Sequence, residues 1–479
     1  MKNNKVAVLD KKYLWHPFTQ QAEWEKGDPI VVRSARGSRF TDTRGRTYID
    51  GVSSLWVTAH GHRHPALDRA VRRQLSLMAH TTFLGLTHEP AARLGQALVG
   101  IAPPGLVRVF YSDNGATSVE VALKMAFQYW AHRGEHRPEY LALEGSYHGD
   151  TLGAVSVGGI AAFHKTFRPL LFKSHFAPAP HCYRCPFRKK PPQPELRSGD
   201  EPTTVRAPRP GDFRAETGCR WECLRGAEKI LKTKRTRLSA AIVEPIVQGA
   251  SGMRVMPRGY LKGFERLCLH YGILFVADEV ATGFGRTGRM FAVELEGVRP
   301  DFLCVAKALT GGYLPLAATL TTQKIYRTFL GRYEDFKTFF HGHSYTANPL
   351  ACAVALENLK VFKREKTLER LAQKRQWMTD YLKQIADHPN VGQVRQAGFM
   401  AGIELVADKT THRPFPAAAR MGAQFCRRAL QKGAWLRPLG DVIVLMPPLG
   451  ISQKDWTTLT TALGLTQWHP SGNVLLPRQ

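Results

Sequence analysis

A chain of 479 residues, 43% hydrophobic and 22% charged, can bury a sizeable core, which excludes disorder along its whole length. Lys and Arg total 67 against 39 Asp and Glu, and the surplus of +28 invites a nucleic-acid or anionic-surface partner. There is no run of eighteen apolar residues, and the four apolar residues before Asp10 are too few for a secretory signal. A reduced cytoplasmic setting without a membrane span is therefore expected.

Residues 30–33, 39–41 and 47–49 read as short strands, with Gly37 and Gly45 at the turns. From about residue 66 helices alternate with short apolar strands. Helices are expected over 66–79, 89–101 and 116–133, and strands over 107–111, 140–143, 240–244, 273–277 and 302–305. That alternation predicts an α/β fold, with a mostly parallel central sheet flanked by helices. Residues 181–216 break the rhythm. This stretch is rich in Pro and charge and reads as a surface insertion. Its eight basic and four acidic residues over 184–214 explain only four of the surplus charges, so it is no concentrated basic arm. From about residue 346, helices over 349–364 and 367–385, strands over 400–406 and 442–445, and a helix over 456–463 predict a smaller α+β domain.

Cys268, Cys304, Cys352 and Cys426 stand singly in apolar contexts, as buried small hydrophobes do. Cys182, Cys185, Cys219 and Cys223 form two close pairs. They could supply four thiolates to zinc, but the long gap and the second spacing favour free thiols or a disulfide, so no metal is expected. The alternating His60, His62 and His64 could also meet a metal on one strand face. Gly283, Gly285 and Gly288 match a dinucleotide fingerprint, yet too few residues follow before Asp301 for a crossover helix, so a loop is expected.

Four polar groups follow successive strands, where open parallel sheets bind ligands. Ser112 to Thr117 open a helix with small residues, which suits a phosphate. Tyr147 and His148 follow the next strand, and an aromatic ring there can stack on a planar ligand. Asp278 closes an apolar strand and needs a cationic or hydrogen-bonding partner. Lys307 follows another, where desolvation favours its amine form. Together they are what pyridoxal 5'-phosphate requires: a phosphate cup, a stacking ring, a carboxylate for the pyridinium nitrogen and a Schiff-base lysine.

Around these residues the sequence resembles the class III aminotransferases of the fold-type I pyridoxal-phosphate superfamily, and within them the diaminopelargonic acid branch of biotin synthesis. The stretches that carry it begin at Trp15, Asp50, His60, Tyr147, Glu244, Ala277, Lys307, His341, Asn348 and Leu436. The resemblance implies a large cofactor domain over 61–345 and a small domain built from 1–60 and 346–479. It implies that Lys307 is the Schiff-base lysine and proton shuttle, that Asp278 pairs with the pyridine nitrogen, and that Asn114 and Gly115 bind phosphate. Tyr147 and His148 would lie at the cofactor. His343 and Ser344 would reach the phosphate from the second subunit of a homodimer. Phe18, Leu55, Trp56 and Gly342 would line the substrate channel, and Arg437 would hold a carboxylate.

The implied reaction is ping-pong transfer of an amino group from S-adenosyl-L-methionine to 8-amino-7-oxononanoate. Phe18 and Leu55 replace the Tyr and Trp of the best-known members, and they raise L-lysine as an alternative donor. Another class III ω-aminotransferase is a further alternative. A basic nucleic-acid-binding or zinc-binding protein is the alternative from another class.

Overall fold

The computed structural model describes residues 2–187, 208–210, 219–465 and 468. Its central sheet has seven strands: β1 (Leu106–Ser112), β2 (Glu139–Leu143), β3 (Ser174–Ala177), β4 (Leu238–Val243), β5 (Leu274–Asp278), β6 (Phe302–Val305) and β7 (Ala317–Thr322). They lie in the order β1-β7-β6-β5-β4-β2-β3. Strands β3, β2, β4, β5 and β6 pair in parallel, while β7 runs antiparallel to both β6 and β1. The expected α/β sheet is present. Strand β7 was not anticipated, because its Ala-Ala-Thr-Leu-Thr-Thr lacks a long apolar run.

The central strands are apolar on both faces because helices cover both. Every residue of β2, β4, β5 and β6 is buried. Helix α1 (Gly115–Ala131) packs Val119, Ala122, Leu123 and Ala126 against the sheet, at helical spacing. Its first turn is fixed by a capping box. The Asn114 side chain accepts from Thr117 N at 3.1 Å, and Thr117 Oγ1 accepts from Asn114 N at 3.0 Å. Helix α2 (Pro349–Arg364) starts on Asn348, whose side chain accepts from Ala351 N, and buries a face of Ala, Val, Cys and Asn358.

Two further four-stranded sheets lie outside this layer. One joins Val32–Arg36, Arg39–Asp42 and Thr47–Asp50 to Ala434–Trp435. The last pairing is parallel and sets Ile49 beside Ala434. The other contains Val391–Ala397, Met400–Leu405, Pro438–Leu439 and Val442–Leu445. The expected helix over 66–79 ends at Leu75, and the closing helix starts earlier than expected, at Gln453 on a Ser452 cap. Helices at Lys2–Tyr13, Glu222–Lys234, Tyr260–Tyr271 and Met421–Gln431 were not anticipated. Most of the expected insertion over 181–216 lies outside the described residues, although Cys182–Arg184 form a 3-10 turn within it. No helix among the described residues is long and apolar enough to cross a membrane.

Glu139 begins β2 and is only 3% exposed. His175 lies 2.7 Å from its carboxylate, Arg237 2.9 Å and Lys173 3.4 Å. Burial opposes the charge, but hydrogen bonds from these three partners outweigh it and hold the carboxyl at about 2. A depressed carboxyl contributes stability that is complete above its ordinary 4.5 and vanishes as the pH falls toward 2. Arg237 and Lys173 are more than half exposed, so screening limits the contribution to about 2 kcal/mol. Glu139→Gln should lower the thermal midpoint at pH 7. That deficit should shrink through the window from pH 4.5 down to 2, as followed by calorimetry at each pH.

Candidate active site

The carboxyl ends of β1, β2, β4, β5 and β6 face one edge of the sheet, and the candidate residues follow them. A cavity of about 730 Å³ opens there, with Asn114, Gly115, Tyr147, His148, Asp278 and Lys307 among its lining. Leu55 and Trp56 complete one wall.

Asp278 ends β5 with 4% exposure. Its Oδ2 lies 2.7 Å from His148 Nδ1, and its Oδ1 accepts from Val280 N at 3.1 Å. His148 is equally buried, and its Nε2 has no hydrogen-bond partner. An acidic group in such a place needs partners, and these supply them.

Lys307 opens a 3-10 turn (Lys307–Thr310) directly after β6, with a positive φ of 43°. Burial pushes its ammonium below the usual lysine range, although Asp278 and Glu244 pull the other way. Its Nζ stands 5.7 Å from the centre of the Trp56 ring. The lysine is thus biased toward the amine that a nucleophile requires.

Glu244 follows β4 and is buried. Its carboxylate accepts from Tyr147 N at 3.0 Å and from Gly249 N at 2.9 Å. Burial raises this carboxyl to about 7, and the neighbouring Asp278 adds to the rise. The Tyr147 phenol donates to Asp150 at 2.7 Å, and burial with that carboxylate pushes its titration far up. Gly249 makes room for Trp56, since a Cβ there would stand 3.2 Å from the ring. Arg286 is fully buried and donates to the carbonyls of Pro447 and Thr58, which fixes the backbone around Trp56. The sequence pattern alone assigns no role to Glu244, Asp150 or Arg286. The signal for Glu244 was there: like Asp278, it closes an apolar strand.

The phosphate end is also shaped by glycine. A Cβ on Gly115 would stand 2.6 Å from Val280 Cγ1, and one on Gly149 (φ 125°) would overlap Ala116. The N–H groups at the start of α1 therefore face space that side chains would fill. The cavity, the buried His148–Asp278 pair, the Lys307 amine and this cradle fit pyridoxal phosphate.

Phe18, Gly342, His343, Ser344 and Arg437 do not line the cavity within this chain. Phe18 is 59% exposed, its ring 5.9 Å from the Arg437 guanidinium and 5.5 Å from the Phe163 ring. The Phe163 ring in turn stands 6.3 Å from that of Tyr147, centre to centre. His343 Nδ1 is 3.0 Å from Asp113 Oδ2, beside Asn114.

Of the three clustered histidines, His62 bonds to Asp50, His64 to Glu365, and His60 is half-buried beside Phe362. Among the described residues no three His, Cys, Asp or Glu side chains are placed to hold a metal ion. Cys182, Cys185, Cys219 and Cys223 form no disulfide with one another. Gly283 to Gly288 form turns, as expected, and no helix opens on them.

Residues 20–466 match the family model for aminotransferase class-III. The chain is 50% identical over 458 residues to the adenosylmethionine-8-amino-7-oxononanoate aminotransferase of Nitratidesulfovibrio vulgaris, covering 95% of this chain and 80% of that one. It is 49% identical over 447 residues to the Anoxybacillus flavithermus protein of the same name, covering 93% and 92%. Among solved structures, that of the enzyme so named from Methanocaldococcus jannaschii has a TM-score of 0.87 at 38% identity, covering 97% of this chain and 98% of that one. An amine transaminase from an uncultivated Pseudomonas species, in its PLP-bound internal aldimine form, gives 0.83 at 33% identity, covering 95% and 98%. The sheet, the residues at its carboxyl edge and these matches agree: the chain belongs to the class III aminotransferases, which work with pyridoxal phosphate.

Proposed function

We propose that the chain transfers an amino group from S-adenosyl-L-methionine to 8-amino-7-oxononanoate, giving 7,8-diaminononanoate for biotin synthesis. The observation that carries the reading is the meeting of Lys307, Asp278 and the Gly115 cradle in one cavity. It is supported by relatives of 40–50% identity that bear the name of that activity. The enzyme acts as a cytoplasmic homodimer, with no nucleic-acid or membrane partner. The pairing of Thr47–Asp50 with Ala434–Trp435 supports one small domain made from residues 1–60 and 346–479, beside a large domain over 61–345.

When bound, pyridoxal phosphate supplies an aldehyde for the amine and a ring that accepts the electrons of the breaking Cα–H bond. The helix start at Asn114 and Gly115 binds its phosphate. Asp278, oriented by His148, would keep the ring nitrogen protonated. Lys307 would hold the cofactor covalently, and its amine would move a proton at the substrate Cα, which requires the neutral form that burial favours. Tyr147 and Trp56 wall the reacting centre and exclude water. Leu55 lines the mouth, and Arg437, with Phe18, receives the acceptor carboxylate. His343 and Ser344 of the second copy reach the phosphate, and Gly342 borders the substrate.

Purified protein should show the visible absorbance of a bound pyridoxal, and Lys307→Ala should lose turnover by at least about a thousandfold. A fully active Lys307→Ala variant would overturn the assignment. In half-reactions followed by that spectrum, S-adenosylmethionine should bleach the absorbance. Bleaching by L-lysine alone would instead name lysine as donor, and failure of 8-amino-7-oxononanoate to restore it would point to another ω-aminotransferase. Gly115→Ala should weaken cofactor binding by about tenfold or more, measured by fluorescence titration, because the new methyl group meets Val280. Helix propensity alone would make this substitution mildly stabilising.

A further inference from the structure

Asn358 lies in the middle of α2, a helix whose buried face is otherwise apolar. It is completely buried. Its Nδ2 donates to Ala308 O and to Leu309 O, both at 2.9 Å. Two carbonyl oxygens can be satisfied only by the NH₂ end of the amide, which fixes how the side chain is turned. Both carbonyls belong to the 3-10 turn that begins with Lys307.

That turn needs holding. Lys307 has φ 43° in the left-handed region, an uncommon state for a residue with a Cβ, and it persists only where neighbours over-determine it. The loop also leaves space for the amide. Gly311 has φ 65°, and a Cβ there would stand 2.9 Å from Asn358 Oδ1. The amide thus grips two consecutive peptide planes immediately after the lysine, from a helix that takes no part in the cavity wall.

We propose that Asn358 is a positioning residue for amino transfer: it clamps the turn that carries Lys307 and so sets where the lysine amine stands. This rests on the assignment of Lys307 as the cofactor-bearing lysine. An aliphatic side chain would fill the same space but leave the turn free to rotate about Ala308 and Leu309. The amine would then wander from the reacting carbon, and water would reach it.

The test uses the loaded enzyme and two variants, Asn358→Leu and Asn358→Asp. The second keeps the size of the side chain, but its carboxyl has at most one O–H to offer the two carbonyls that the amide grips together. Each should lower kcat by about tenfold to a hundredfold, with KM for both substrates within about threefold, because the lysine serves the reacting atoms. The pH midpoint of the visible absorbance should move upward by about half a unit or more, as water reaches the lysine nitrogen. Thermal unfolding measured alongside separates loss of fold from loss of position, and Asn358→Asp decides if the leucine variant does not fold. An unchanged pH midpoint overturns the proposal even if kcat falls with stability, since a merely structural residue would behave so. Borohydride trapping followed by peptide mass analysis keeps the underlying assignment separate. If wild-type protein is labelled at another lysine, the assignment of Lys307 fails. Labelling at Lys307 with an unchanged midpoint in the variants condemns only the role of Asn358.

Discussion

A carboxylate held out of water at the end of an apolar strand is the constraint on which the site depends. At the mouth of β5 the Asp278 carboxylate is met by His148 at 2.7 Å and by the Val280 N–H, the partners that a buried acidic group needs. Its charge then sets the electrostatics of its neighbours. It pulls the Lys307 amine toward the charged form and pushes the Glu244 carboxyl up, while burial drives both toward neutrality. The cavity therefore holds one anchored negative group and two neighbours whose charges are easily given up. That asymmetry suits a reaction in which protons change hands beside an electron-poor ring.

The sheet explains how such unlike groups come together. Parallel strands of similar length end at one edge, so whatever follows each strand joins the same rim. Asn114, Tyr147, Glu244, Asp278 and Lys307 are spread over nearly two hundred residues, yet each sits within a few positions of a strand end. The backbone between them is buried and apolar, and the chemistry is concentrated in short connections.

Much of this could be read before the fold was known. Long apolar runs such as those of β4, β5 and β6 announce themselves, and Asp278 and Lys307 stand out because a charge after such a run is expensive. Phe302–Val305 and Pro349–Arg364 begin and end where expected. Strand β7 was hidden because its threonines are buried through hydrogen bonds; Thr319 Oγ1, for example, donates to the Ser118 carbonyl. The partners of Glu244 and Asn358 were hidden for another reason. Tyr147 N lies 97 residues from Glu244, and the carbonyls of Ala308 and Leu309 lie 50 and 49 from Asn358, and no local pattern records such partners. The surplus of +28 proved a poor guide, since the site draws on very few cations.

One pairing also bears on how the molecule is made. Ile49 lies beside Ala434 in a parallel ladder, although about 385 residues separate them. A ribosome adding roughly 5–20 residues per second needs some tens of seconds to supply that partner. Until then Thr47–Asp50 presents an unpaired edge, and Trp56, only a few residues on, has not received the Pro447 end of its Arg286 tether. The cofactor cradle on the central sheet can be complete well before the channel wall is.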